Sequence, residues 1–245
     1  MAIDAPARAD QAVHVRAFGR DLLPFRSDGG WRVLIGIDLD VRPGTYPVSI
    51  DAGGATVVRN LVVTRKTFRT RRLTVDPDFV TPPPSAAERI AADAKLLQST
   101  WRSSAPERLW STAFVRPVAD AANSAFGSRS VFNGKLRSAH GGADFLSGAG
   151  TAVHAPNGGR IAVARDLYYS GNTVIIDHGL GLFSMLAHLS AFDVREGDRV
   201  EAGQIVGRVG ATGRVTGPHL HWAVRVNDSR VDPLSLLAVL GRPAT

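Results

Sequence analysis

Alternation of apolar and polar residues marks the first third of the chain as β structure. Tyr46, Val48 and Ile50 occupy every second position, as in a strand with one buried face. Three further β-rich runs, bounded by turn residues, lie at 31–38, 55–64 and 68–75. We therefore predict an immunoglobulin-like β-sandwich over residues 12–75, preceded by a flexible N-terminus at residues 1–11.

A proline-rich linker and a helix follow. Residues 82–84 are three consecutive prolines, which predict a stiff, extended segment. Ser85 and Glu88 then match a capping box. A single apolar stripe at helical spacing comprises Ile90, Ala94, Leu97 and Trp101. The pattern predicts a linker and amphipathic helix within residues 76–110, the helix spanning 85–103 and docking its stripe on the protein.

Short β-rich runs separated by glycine-rich turns fill the remainder of the chain. They lie at 150–155, 159–164, 172–177, 182–189, 204–209 and 219–226. Because no helical pattern separates these runs, they predict an antiparallel sheet domain over residues 111–245. The predicted fold class of the whole chain is mainly β.

Composition narrows the functional classes. The 245 residues include 29 Lys and Arg against 22 Asp and Glu, a formal charge of +7, which suits acidic partners such as nucleic acid, anionic lipid or a cell wall. No apolar run reaches the roughly 18 residues of a membrane span. A basic cluster comprises Arg65, Lys66, Arg69, Arg71 and Arg72. We interpret it as a solvated strand face rather than a polyanion-binding strip.

The histidines supply the candidate chemistry. The chain has no cysteine, so a metal site must use histidine and carboxylate ligands, and six of the seven histidines follow residue 139. His219 and His221 flank Leu220 on a predicted strand and so share one face. His140 and Asp144 are separated by a Gly-Gly-Ala segment. Both pairs suit zinc with three protein ligands and an open position, although a hydrogen-bonded histidine pair gives the same pattern.

Three motifs together resemble those of the lysostaphin/LytM-type zinc metallopeptidases, which cut peptidoglycan cross-links. They are HGGAD at 140–144, AHLS at 187–190 and GATGRVTGPHLH at 210–221. The resemblance implies one Zn²⁺ per chain, with His140, Asp144 and His221 as ligands and water in the fourth position. It also implies catalytic roles for His188 and His219: one helps to deprotonate the water, and the other stabilises the oxyanion or protonates the leaving amine.

The other candidate residues carry weaker signals. We interpret His14, in the β domain, as a surface residue. His154 matches no ligand position of the family, so we expect it to be exposed or to line a strand. His178 recurs in the family without being a ligand, and we interpret it as structural. Four residues are candidates for bordering the substrate groove: Asn172, Thr212, Gly213 and Thr216. Turn chemistry explains the Thr-Gly pairs equally well.

The resemblance implies a zinc-dependent endopeptidase that hydrolyses amide bonds in peptidoglycan cross-link peptides. It implies an exported protein, periplasmic or cell-wall associated, whose signal peptide is missing from this sequence. We do not expect a nucleic-acid partner, because basic residues are not interleaved with aromatic ones in the C-terminal half. The alternative is a non-enzymatic or partner-gated peptidoglycan-binding regulator of another cell-wall hydrolase. A regulatory protein partner, or a cleft occluded by the linker helix or by the N-terminal domain, belongs with that alternative.

Overall fold

The mainly β fold class is confirmed. The computed structural model describes residues 2–3, 12–27, 30–73, 82–132, 134–136 and 139–241. Within them the chain forms twenty strands and two α-helices. The predicted flexible N-terminus lies outside the described residues except for positions 2 and 3, and most of the predicted proline linker lies outside them as well. No helix in the described ranges is long and apolar enough to cross a membrane.

Seven strands form two antiparallel sheets in the N-terminal region. They are β1 (Ala2–Ile3), β2 (Val13–Ala17), β3 (Arg20–Leu22), β4 (Phe25–Ser27), β5 (Gly30–Arg32), β6 (Gly44–Ala52) and β7 (Ala55–Val63). Their orders are β3-β2-β6-β7 and β1-β5-β4. Alternate residues such as Val15, Val48 and Ile50 form a small core with Val33. The immunoglobulin-like topology stays a prediction.

The predicted run at 31–38 is strand only as far as Arg32. Beyond it, polar groups of the segment form hydrogen bonds and an ion pair with the C-terminal region. The Leu34 carbonyl accepts a hydrogen bond from Asn227 Nδ2 at 3.0 Å, and Asp38 pairs with Arg230 at 2.6 Å. This connecting segment, residues 33–43, therefore joins the two regions of the molecule.

The run at 68–75 also differs from its prediction. The strand β8 (Thr70–Leu73) does not join the N-terminal sheets; it pairs in parallel with β10 (Arg129–Phe132), which in turn pairs with β11 (Lys135–Leu136). The β-rich composition of this run predicted a strand, but it contained no information about which strand would pair with it.

The linker helix α1 (Ala87–Trp101) follows a 3₁₀ turn at Pro84–Ala86. The predicted capping box is wrong, because Ser85 lies inside that turn and Ala86, which has no side-chain acceptor, occupies the N-cap. The predicted docking face is formed mainly by Leu97 and Trp101. These side chains pack on Val163, Ile175 and Phe183 of the large sheet, whereas Ala94 is exposed.

The C-terminal region is built on one ten-stranded antiparallel sheet, as predicted. Its strands are β9 (Ala122–Ser124), β12 (Gly142–Phe145), β13 (Ala152–His154), β14 (Gly159–Leu167), β15 (Gly171–Gly179), β16 (Leu182–Phe192), β17 (Arg199–Val200), β18 (Ile205–Val209), β19 (Leu220–Val226) and β20 (Ser229–Val231). The main order is β17-β14-β15-β16-β19-β12-β9, and β18 bridges β13 and β16. The helix α2 (Pro233–Leu240) follows β20 and packs on the same core.

The two faces of this sheet have different environments. On β19, Leu220, Trp222 and Val224 are fully buried in the main core. The intervening residues, His221 and Arg225 among them, point to the opposite face, where they are half-buried. The Arg225 guanidinium lies 5.1 Å from the centre of the Trp101 ring. The helix α1 therefore docks on the same face of the sheet as His221.

Candidate metal centre

Strand pairing brings two of the predicted ligands together. Asp144 on β12 lies directly opposite His221 on β19. Both strands alternate, so Ala143 and Phe145 enter the core while Asp144 and His221 share the other face. The Asp144 Oδ1 atom is 2.8 Å from His221 Nδ1.

His140 completes the cluster from the segment that precedes β12. Its Nε2 atom lies 3.0 Å from Asp144 Oδ1 and 3.1 Å from His221 Nδ1. These three residues could hold a metal ion, since each offers one ligand atom and these atoms lie within 4.8 Å of one another. The side chains are 18–22% exposed, so solvent reaches all three although α1 docks on the same face.

Burial and the contacts within the cluster shift the pKa values of Asp144 and His221. Burial alone would raise the pKa of Asp144, but its hydrogen bonds with His140 and His221 outweigh that effect and hold the pKa well below its usual range. Burial lowers the pKa of His221 despite the nearby carboxylate. An ionised Asp144 carboxylate and a neutral His221 imidazole are the protonation states that a divalent cation requires of such ligands.

The two predicted catalytic histidines stand beside the cluster. The rings of His188 and His219 are 4.7 Å apart between centroids, and His188 is 6.0 Å from His221. His188 Nδ1 lies 3.0 Å from the Thr212 carbonyl, and His219 Nδ1 lies 2.9 Å from the Gly217 carbonyl. Each ring therefore carries its proton on Nδ1 when neutral and has a lone pair on Nε2. Burial lowers the pKa of His188 to about 4.

The backbone at His188 is unusual. Its φ of +66° lies in the left-handed region, which a residue other than glycine adopts only when its surroundings impose it. The backbone N–H of His188 donates to the Ser170 carbonyl at 2.9 Å. Together with the Thr212 contact, this bond fixes the direction in which the ring faces His219 and His221.

Comparison with known proteins assigns the chain to a family. A model of peptidase family M23 matches residues 138–233. A crystal structure from Pseudomonas aeruginosa assigned to peptidase M23 is 30% identical in sequence and superposes with a TM-score of 0.75. The match covers 98% of this chain and 97% of the Pseudomonas aeruginosa chain. The chain belongs to peptidase family M23.

Two curated relatives match the same M23 region. The DD-carboxypeptidase/endopeptidase Mpg of Neisseria meningitidis serogroup B is 43% identical over 97 residues, which are 40% of this chain and 22% of the relative. The peptidoglycan DD-endopeptidase ShyA of Vibrio cholerae is 40% identical over 95 residues, 39% of this chain and 22% of the relative. The chain thus spans about a fifth of the length of each.

Of the predicted groove residues of this M23 chain, Asn172 lies on β15, and Thr212, Gly213 and Thr216 lie in the loop between β18 and β19. Thr212 Oγ1 accepts a hydrogen bond from the Asn172 N–H at 2.9 Å and donates to the Leu189 carbonyl at 2.7 Å. Gly213, with a φ of +77°, packs its backbone against Gly171. Thr216 is exposed. Thr212 therefore supports the His188 wall of the cleft, while a substrate-binding role for these four residues stays a prediction.

The three histidines not expected to bind metal or act in catalysis lie outside the cluster. His178 is fully buried on β15, with hydrogen bonds at both ring nitrogens. His154 is half-buried, with Nδ1 3.3 Å from the Pro117 carbonyl, and His14 is exposed on β2.

Two features of the M23 centre were not identified from the sequence. The first is the set of backbone carbonyls that orient the rings, including that of Ala125, 3.2 Å from His140 Nδ1. The second is the close approach at Gly142, where a Cβ atom would lie 2.8 Å from His221 Nε2 and 2.4 Å from the Trp222 carbonyl oxygen. The Gly-Gly pair was a visible signal for the second; nothing in the side-chain pattern signals the first.

Proposed function

We propose that this chain is a zinc-dependent endopeptidase that hydrolyses amide bonds in peptidoglycan cross-link peptides. The observation that carries the proposal is the convergence of His140 Nε2, Asp144 Oδ1 and His221 Nδ1 on one point that solvent reaches. Membership of a peptidase family and the peptidoglycan endopeptidase named among its relatives support the substrate class.

The donor set fits zinc. Two imidazole nitrogens and one carboxylate oxygen are borderline and hard ligands of the kind found in three-ligand catalytic zinc sites. The contact between His140 Nδ1 and the Ala125 carbonyl fixes the tautomer that leaves a lone pair on Nε2, as is usual for metal-binding histidines. When bound, zinc supplies a Lewis acid that polarises the scissile carbonyl and acidifies water to a pKa near about 7.

His188 and His219 would move the protons. Because Nδ1 of each ring is held by a backbone carbonyl, the Nε2 lone pair is the atom that accepts a proton in the cleft. Burial keeps His188 neutral and ready to accept one. Its neighbour lies close enough, at 4.7 Å between ring centroids, for one histidine to act as the base and the other to protonate the leaving amine.

The proposed substrate sets the location. Peptidoglycan lies outside the cytoplasmic membrane, so we propose that the protein acts in the periplasm or the cell wall. The formal charge of +7 would raise its concentration near an anionic wall without adding specificity.

The test combines metal content with product analysis. The purified chain should contain one zinc by elemental analysis and release fragments with new peptide ends from purified peptidoglycan, and fragment masses would identify the bond. His221→Ala should lose both properties, whereas His14→Ala, which removes an exposed histidine, should keep them. One zinc without cleavage would favour the partner-gated alternative, and no zinc after supplementation would contradict the proposal.

A further inference from the structure

A second cavity lies away from the metal centre, where the connecting segment meets the C-terminal region. Its volume is about 590 Å³, within the range of roughly 300–1,000 Å³ typical of small-molecule sites. The segment 33–43 and the end of β7 form one side, and β19, β20 and α2 form the other. Junctions of this kind, between two structural units, are where ligand sites commonly occur.

Most of the cavity wall is apolar. The side chains that line it include Leu34, Ile35, Val41, Val63, Val226 and Leu236. Ile37 and Val239 also contribute and keep 37% and 64% of their surface exposed. Water in such a space finds few hydrogen-bond partners, so an apolar group that replaces it is stabilised.

The charged residues of the wall are unbalanced. Both lining carboxylates are already engaged, Asp38 by Arg230 and Asp232 by the first turn of α2. Arg65, Lys66 and Arg129 add three cations that form no ion pair with any carboxylate in the described ranges. Positive groups that line the same cavity repel each other, and a bound anion would relieve that repulsion.

Hydrogen bonds and close packing hold the walls in place. On one side, the Arg230 guanidinium donates two hydrogen bonds to the Asp38 carboxylate, from Nη2 to Oδ1 at 2.6 Å and from Nε to Oδ2 at 3.1 Å. On the other side the Arg129 N–H donates to the Arg69 carbonyl at 2.8 Å. The Phe68 ring packs directly over Gly127, where a Cβ atom would overlap it. A preformed cavity loses little conformational freedom on binding, which favours affinity.

We propose that this cavity binds a single-chain amphiphile whose head group is an anionic carboxylate or phosphate. The apolar chain would occupy the space between the connecting segment and α2, and the head group would lie at the opening against Arg65, Lys66 and Arg129. The basic cluster interpreted from the sequence as a solvated strand face thereby acquires a role for its first two members. This site is independent of the metal centre.

Isothermal titration calorimetry on the full chain, below the micelle concentration, tests the proposal with three probes that share a twelve-carbon tail. Dodecanoate and dodecyl phosphate should bind with one site per chain, and their relative affinities identify the preferred head group. Dodecyltrimethylammonium, with the opposite charge, should bind at least about tenfold more weakly. Equal binding of all three probes, or no binding of the anions, would overturn the proposal.

Two variants locate the site. Lys66→Gln/Arg129→Gln should weaken dodecanoate binding about tenfold or more, since it removes two charge-assisted contacts. Arg16→Gln/Arg59→Gln removes the same charge from exposed positions outside the cavity and should bind like the unmodified chain. Val41→Trp should block the cavity and abolish binding, with circular dichroism confirming the fold. Equal affinities in the two double variants would contradict the assignment.

Discussion

Two groups of histidines on the same sheet differ in how their ring nitrogens are used. His178, on the β15 side, has Nδ1 2.7 Å from the Gly158 carbonyl and Nε2 2.9 Å from Ser184 Oγ. His188 and His219 form hydrogen bonds to backbone carbonyls through Nδ1, and within the described part of the chain no hydrogen bond reaches Nε2 of either ring; His219 Nε2 lies 4.0 Å from Asp144 Oδ1. A ring bonded at both nitrogens stabilises the fold, whereas a ring with one available lone pair can also move a proton.

Burial does not distinguish the two groups. It lowers the pKa of His178 and that of His188 to about 4 alike. A perturbed pKa is therefore an incomplete indicator of a catalytic role, because a structural histidine shows the same shift. What distinguishes the structural histidine from the proposed catalytic ones is whether Nε2 forms a hydrogen bond within the protein.

The largest effect that this comparison predicts is on turnover. His188→Asn should lower peptidoglycan hydrolysis by about 10²–10⁴-fold, because asparagine cannot accept the proton. Asparagine tolerates the positive φ at this position, so the backbone should persist. Zinc content should remain near one per chain, measured alongside initial rates. The matched change His154→Asn should leave both unchanged. Loss of zinc in His188→Asn would mean that the residue binds the metal instead.

The next effect concerns how closely the backbone supports the ligands. Gly142→Ala should weaken zinc binding by about 10–100-fold, because its Cβ would displace the His221 ring and the Trp222 carbonyl. Gly141→Ala is the control: the nearest atom its Cβ would meet is Arg230 Cδ, at 3.9 Å. Competition with a chelator measures both affinities. Equal zinc affinities of the two variants would contradict the prediction and show that zinc binding tolerates a displaced His221 ring.

A smaller effect appears in the pH dependence of stability. The lowered pKa of His178 means that the folded state keeps this ring neutral while the unfolded state protonates it, so the stabilisation is complete above about pH 6.5 and is lost as the pH falls towards about 4. The loss amounts to at most about 3 kcal/mol.

Urea unfolding of the metal-free protein between about pH 7.5 and about pH 4.5 measures this dependence. In His178→Gln the decline should be shallower by that amount, while the exposed His14→Gln should follow the unmodified chain. All three proteins retain His188, so its contribution to the pH dependence cancels when their unfolding free energies are subtracted. Parallel curves for all three proteins would exclude His178 as the source.

The sequence anticipated the candidate site better than it anticipated the N-terminal fold. The period-two pattern of β19 correctly placed His221 on the face opposite Leu220, since strand geometry alone dictates it. His219, which directly precedes the strand, also faces the cluster, with Nε2 4.0 Å from Asp144 Oδ1. The partner of β8 and the end of β5 at Arg32 depend on contacts with residues more than fifty positions away. Local patterns contain no information about such contacts.

The same limit applies to the groups that orient the rings. The Ala125, Thr212 and Gly217 carbonyls act through the backbone, so the side-chain types at these positions do not reveal their role. The capping box failed for a related reason. Ser85 directly follows the consecutive prolines and lies within a 3₁₀ turn. The N-cap position of α1 is therefore one residue later, at Ala86, and the Ser85 hydroxyl does not cap the helix.

The smallest predicted effect separates support of His188 from binding of substrate. Thr212→Val keeps the backbone carbonyl and the side-chain shape but removes both hydroxyl hydrogen bonds, leaving the Asn172 N–H and the Leu189 carbonyl without them. Unfolding free energy should fall by about 1–2 kcal/mol, and kcat should fall several-fold through a less fixed His188, with KM little changed. The exposed Thr216→Val should alter neither quantity. A raised KM with unchanged stability would instead make Thr212 a substrate contact, because a residue that acts only by holding His188 has no reason to alter substrate affinity.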